Sequence, residues 1–194
     1  MAHPALPPPD LEASLEALHE ASFGWARNCC GGHPDDAADV LQTAYVKVLS
    51  GGAVFAGRSS FRTWLFGVIR LTALELRRRG AREFSLEGLA EPPAPAPSTE
   101  AVLIEAEEHA ALRAALAMLP DRQREVLHLV FQQEMSIADA SGVMGVSVGS
   151  ARVHYDRAKK RMRTLLADGR DHGTTSGRPP SIDRRNEDEG RDRR

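Results

Sequence analysis

Little in this sequence suits a β-structured, membrane-embedded or disulfide-built protein. Aromatic residues are 5% of the 194-residue chain. β-Branched residues are also few beside Ala and Leu, so any core must be aliphatic and helical. No run of about 18 apolar residues occurs, which argues against a membrane span. The N-terminus carries no basic stretch leading into an apolar one, so no secretory signal is expected. There are two cysteines, Cys29 and Cys30. As neighbours in a helix they cannot readily bridge, and a reducing cytoplasm is the expected compartment. Together with His33 and His19 they fall short of a zinc site, which wants about four well-spaced ligands. No phosphate-binding glycine loop, paired catalytic carboxylates or nucleophile elbow is present, so neither an enzyme nor a cofactor is expected.

The charge is present but concealed by its sum. The formal net charge is −2, yet residues 58–82 hold seven Arg against one Glu, and residues 147–163 hold six bases against one acid. Both blocks lie in an acidic background, with seven Glu against one Arg in residues 83–119 between them. Short basic blocks of this kind are either solvated helix faces or the footprint of a polyanion, most often nucleic acid.

Helical spacing accounts for most of the chain. Leu11, Leu15, Leu18, Phe23 and Ala26 mark a first helix, ended by Gly31-Gly32-His33-Pro34. A second starts near Asp35 and Asp36, acids suited to a helix N-terminus, and carries Val40, Leu41, Ala44, Tyr45 and Val48. A third begins at Ser59 or Ser60, either of them a suitable N-cap. It carries Phe61, Leu65, Val68, Ile69 and Leu76, and is expected to close at Arg77-Arg78-Arg79-Gly80. The Pro-Ala stretch around residues 91–97 cannot pack a core and reads as a linker between two domains. Beyond it, a helix is expected from Glu100 to Leu119 and another from Pro120 through Val126, Leu127, Val130 and Phe131. Ser136 caps a short helix, Gly145 makes a turn, and Ser147 caps a long basic helix.

Residues 136–163 thus have helix-turn-helix form. The second helix opens Ser147-Val148-Gly149-Ser150, small enough to enter a major groove, and its free N–H groups can hold a phosphate. Arg152, His154 and Arg157 are best placed to reach bases or phosphates, and Lys160 lies further along, toward the backbone. His154 reads as a neutral contact rather than a pH sensor.

Leu119-Pro120-Asp121-Arg122-Gln123-Arg124-Glu125-Val126-Leu127, taken with Ser136 and Ser147-Val148-Gly149-Ser150, resembles the C-terminal domain of bacterial RNA polymerase sigma factors of the extracytoplasmic-function (ECF) type. Asp36-Ala37-Ala38-Asp39-Val40-Leu41-Gln42 is similar to the family segment that docks on the clamp helices of the β′ subunit. Phe61-Arg62-Thr63-Trp64-Leu65-Phe66 with Ile69-Arg70 is similar to the helix that opens the −10 element. The resemblance spans residues 10–166. It implies an all-α fold of two small helical domains joined by a flexible Pro-rich linker, the second domain containing the helix-turn-helix. The expected divisions are an arm at 1–9, sigma region 2 at 10–82, a linker at 83–104, sigma region 4 at 105–166 and a disordered tail at 167–194.

The resemblance also implies the function: binding core RNA polymerase and directing promoter-specific initiation, with recognition of −35 and −10 elements and help in melting. Asp36, Asp39, Gln42 and Thr43 would face the β′ clamp helices. Phe55, Arg58, Arg62, Arg70, Leu71, Arg77, Arg78 and Arg79 would serve −10 DNA. Phe55 either stacks on an extruded base or anchors its loop, whereas Trp64 and Phe66 read as core. Ser147, Val148, Gly149, Ser150, Arg152, Val153, His154, Arg157 and Lys160 would serve −35 DNA. The implied partners are the β′ clamp helices and the β flap of core polymerase, promoter DNA and an anti-sigma factor.

The chain departs from the family pattern at several places. Thr43 stands for a usual Glu, Leu71 for a usual Asn, and Val153-His154 for a usual Ser-Arg. Ala140-Ser141-Gly142 replaces a more helix-favouring run, with Gly142 costing roughly 1 kcal/mol against Ala. A free helix-turn-helix regulator would leave the segment at 36–42 unexplained. A recombinase-like enzyme would need catalytic groups that are not found.

Overall fold

A computed structural model describes residues 10–84 and 111–173. All regular secondary structure among the described residues is helical, with no strand among them. In chain order the helices are α1 (Leu11–Ala17), α2 (His19–Cys29), α3 (Pro34–Leu49), α4 (Phe61–Phe84), α5 (111–117), α6 (Asp121–Leu127), α7 (Ile137–Met144) and α8 (Val148–Gly173). The arm at 1–9 and most of the expected linker and tail lie outside the described residues.

The capping residues act as their chemistry requires. The Asp10 carboxylate accepts from the Ala13 N–H at 2.9 Å, and Ser60 Oγ accepts from the Thr63 N–H at 3.1 Å, which settles the start of α4. Ser136 and Ser147 accept in the same way from the N–H groups of Asp139 and Ser150. Gly145 ends α7 with φ 64°, a left-handed conformation that an L side chain rarely adopts.

Three expectations need correction. The first helix is two: Leu18, with φ −98° and ψ 0°, separates α1 from α2. Its apolar stripe nevertheless runs on through Trp25, Ala26 and Cys29, with Phe23 half-buried at the edge. Next, α4 does not stop at Gly80 but continues to Phe84. Gly80 is not among the residues with positive φ, and its propensity cost of about 1 kcal/mol does not end a helix already several turns long. By the same reasoning α8 passes Gly169 and ends at Gly173 instead of near residue 166. The third correction concerns the segment after Leu127, where α6 widens into a π turn over His128–Gln132. The Gln133 N–H donates to the His128 carbonyl at 3.1 Å, and Glu134 closes the turn at φ 50°. The widened turn buries His128 and Leu129 and leaves Phe131 62% exposed.

Residues 10–84 and 111–173 form two helical units, and these pack on each other. Trp25, Leu65, Phe66 and Ile69 of the first unit share one core with Val126, Leu129, Val143 and Met144 of the second. A smaller core of Leu119, Leu127 and Ala158, flanked by Leu116, Tyr155, Met162 and Leu165, ties α5, α6 and α8 together. α7 lies along α4 and brings the second unit onto the face of the first.

Candidate nucleic-acid interface

The face of α8 that points away from the core is basic. Ala151 and Ala158 are buried, with Tyr155, Met162 and Leu165 continuing their stripe. Arg152, Arg157, Lys160, Arg161 and Arg163 are exposed on the remaining surface. The helix opens with Ser147, Val148, Gly149 and Ser150, all exposed, and Val153 is 46% exposed beside Arg152. His154 is half-buried. The expected −35 residues therefore share the outer end of one helix, with no bulky side chain at its first turn.

The turn of the helix-turn-helix is held from below. Arg122 Nη1 donates to the Met144 carbonyl at 2.9 Å, at the end of α7. The same nitrogen lies 3.3 Å from Glu125 Oε2. Glu125 also accepts from Arg70 of α4, with Nε to Oε1 at 2.9 Å and both side chains 7% exposed.

The arginines assigned to −10 DNA fall into two groups. Arg58, Arg78 and Arg79 are exposed, and Arg77 is a half-open partner of Asp121 at 3.5 Å. Arg70 is buried against Glu125. Arg62 donates to Gln133 Oε1 at 2.7 Å and lies 5.4 Å from the centroid of the Phe66 ring. Leu71 is 56% exposed on the outside of α4. Phe55 is half-buried in its loop, edge-on to Phe61 at 5.7 Å and 5.3 Å from Trp64. That cluster anchors the loop before α4. Phe66 is wholly buried and Trp64 half-buried.

On α3, Asp36, Asp39 and Gln42 are exposed and Thr43 is half-buried. The sequence reading missed two neighbours. Val46 and Leu49 are 58% and 54% exposed, and the spacing 39, 42, 46, 49 puts them on one face with Asp39 and Gln42. That spacing was available in the sequence, hidden because Val48 carries the buried stripe beside them.

His128 lies between the units, 5.4 Å from the Trp25 ring and 3.3 Å from Gln133 Nε2. Burial pushes its imidazole down from 6.5 to about 4. The unfolded chain therefore takes up a proton over that window before the folded chain does. The stabilisation from keeping His128 neutral is complete above pH 6.5 and is lost as the pH falls toward 4, about 3 kcal/mol in all. His128→Gln is expected to flatten the melting-temperature profile across this window relative to the wild type. Parallel profiles would contradict the assignment.

Residues 15–83 match the family described as Sigma-70 region 2, and residues 109–162 match Sigma-70, region 4. The RNA polymerase sigma factor YlaC of Bacillus subtilis (strain 168) is 31% identical over 144 residues, covering 72% of this chain and 82% of its own. The ECF RNA polymerase sigma factor EcfG of Rhodopseudomonas palustris (strain TIE-1) is 30% identical over 136 residues, covering 70% and 74%. Among solved structures, the sigma factor RpoE in complex with the anti-sigma factor NepR from Bartonella quintana superposes with a TM-score of 0.66 at 25% identity, over 81% of this chain and 97% of that one. CnrH in complex with the cytosolic domain of CnrY gives 0.56 at 25% identity, over 80% and 87%.

Proposed function

Because the chain belongs to the sigma-70 family, in its extracytoplasmic-function type, we propose that its two helical units divide promoter recognition between them. Members of this family are non-catalytic factors that confer promoter-specific initiation on RNA polymerase, and this chain does the same. On our reading, α8 enters the major groove of the −35 element. Ser147, Gly149 and Ser150 allow close approach, and Arg152, Val153, His154 and Arg157 are the base- and phosphate-reading side chains. Lys160 grips backbone. The observation that carries this reading is the left-handed Gly145 turn followed by an exposed, small-residue N-terminus on a basic helix.

In the first unit, Arg58, Arg62, Arg70, Arg77, Arg78 and Arg79 line −10 phosphates, and Leu71 stands where relatives place an Asn. On this reading the −10 preference of this chain either differs from theirs or is weaker. Phe55 keeps the preceding loop in place and presents one ring face to an unstacked base. Asp36, Asp39 and Gln42, bordered by Thr43, Val46 and Leu49, form the surface for the β′ clamp helices. The β flap docks on the second unit, where Leu112, Leu116, Phe131 and Met162 line an apolar groove of about 500 Å³. An anti-sigma factor is the proposed regulator, in keeping with the partner of the similar RpoE structure. We place the protein in the cytoplasm with the polymerase. No described helix is long and apolar enough to cross a membrane.

Holoenzyme reconstituted with Arg152→Ala tests the α8 assignment. The variant is expected to lose roughly 1–3 kcal/mol of discrimination at the −35 position it reads. An unchanged ranking of −35 promoter variants would refute that role.

A further inference from the structure

We propose that the groove between α5, α6 and α8 binds a free medium-chain carboxylate. The alkyl tail lies among the groove's apolar side chains, and the head is drawn by its cations and unpartnered donors. The proposal adds a small-molecule ligand to the surface read above as the β flap's, and the chain takes up that ligand without polymerase. The volume of about 500 Å³ is that of a small-ligand site. Leu112, Leu116, Leu127, Phe131 and Met162 supply its apolar walls. Phe131 and Leu112 are 62% and 43% exposed, so a bound chain would cover apolar surface that water now wets.

The polar part of the lining is one-sided in charge. Arg124, Lys159 and Arg163 line the groove, and no Asp or Glu does. Arg124 is paired with Asp121 at 2.7 Å. Lys159 and Arg163 have no ion-pair partner among the described residues. Their spacing of four residues puts both on one face of α8. An anionic head thus meets two free cations, whereas a cationic head meets two like charges.

A second, independent observation is a pair of unanswered donors. Asn28 Nδ2 and Arg124 Nε are buried and have no hydrogen-bond partner among the described residues. Both residues line the groove, Asn28 from the end of α2. A buried donor without an acceptor costs stability, and a ligand that brings an acceptor removes the cost. A carboxylate oxygen is such an acceptor, and its charge strengthens the bond. An ammonium group or a bare alkyl chain offers nothing to either donor.

Titration calorimetry of the full chain with octanoate, decanoate and dodecanoate, each below its micelle-forming concentration, tests the site. Affinity is expected to rise about tenfold with each two methylenes added, as burial of the tail requires. Lys159→Gln with Arg163→Gln should weaken dodecanoate binding at least about tenfold. Asn28→Asp keeps the side chain's shape but replaces its donor by a carboxylate, and should weaken it by a similar factor. Dodecyltrimethylammonium, the same chain with a cationic head, should bind at least about tenfold more weakly than dodecanoate. Dodecanoate is also expected to raise the melting temperature, as a ligand of the folded state does, where detergent action would lower it.

No saturable binding, affinity indifferent to chain length or head charge, full affinity in both variants, or a lowered melting temperature would each overturn the proposal. Phosphatidylglycerol vesicles present an anionic head and alkyl chains from a membrane surface instead. The chain is expected to stay unbound in vesicle flotation, and capture by vesicles without binding of dodecanoate would overturn the site. Affinity for core RNA polymerase, measured with and without dodecanoate, separates the site from the flap reading. Weaker core binding that the Lys159→Gln, Arg163→Gln chain resists supports both. Saturable dodecanoate binding with core affinity unchanged upholds the site and removes the flap from the groove.

Discussion

Asp39→Arg is expected to weaken binding to core RNA polymerase by at least about a hundredfold while leaving helix content and melting temperature unchanged. Asp39 is exposed on α3, and the buried residues that hold that helix are Ala37, Val40, Leu41, Ala44 and Val48. None of these is disturbed by a longer, cationic side chain pointing into solvent. At the interface the change is severe. On the proposed clamp-helix reading, a carboxylate facing a cation becomes a cation itself, and Gln42, Val46 and Leu49 on the same face are held away from the partner. Co-elution with core enzyme on gel filtration reads the effect. Normal affinity in this variant would overturn the assignment of the α3 face.

The second large effect is on stability. Glu125→Ala is expected to cost about 3–5 kcal/mol in urea unfolding, since it leaves Arg70 charged and buried without a partner. The substitution also releases Arg122 from one of its two anchors. Replacing both partners, Arg70→Met with Glu125→Leu, should recover most of the loss, because a well-packed apolar pair is often as stable as the ion pair it replaces. The contrast is Lys47–Glu75, which is shorter at 2.6 Å but 31% and 51% exposed. Its removal should cost about 1 kcal/mol or less, water having taken most of the Coulomb energy. If Glu125→Ala proves as mild as Glu75→Ala, then Arg70 is not confined between the units.

Residues whose role is local were legible in the sequence. Ser136 and Ser147 before apolar periodic runs, Gly145 between them and the arginine blocks at 58–82 and 147–163 place the helix-turn-helix and both basic helices without reference to distant contacts. Trp64 and Phe66 also read as core, and Phe66 is wholly buried. What escaped depends on parts of the chain far apart in sequence. Arg70 and Glu125 are 55 residues apart, and nothing near either one announces the other. Gly142 showed only its cost to α7, while the side chain nearest to it, Thr63, stands on α4. The π turn at His128–Gln132 brings His128 to 5.4 Å from the Trp25 ring, a contact that no local pattern displays. The helix ends expected at Gly80 and near residue 166 were misplaced for a different reason. A glycine stops a helix when it turns left-handed, as Gly145 does, and its presence alone does not decide that.

Run-off transcription with purified core RNA polymerase on a library of genomic fragments tests the central claim most directly. With this chain added, the expected result is transcripts from a limited set of defined start points, each preceded by the same pair of upstream elements. Core enzyme alone should yield none of them. Transcripts that are unchanged by the chain, or that start without a shared upstream sequence, would contradict the account.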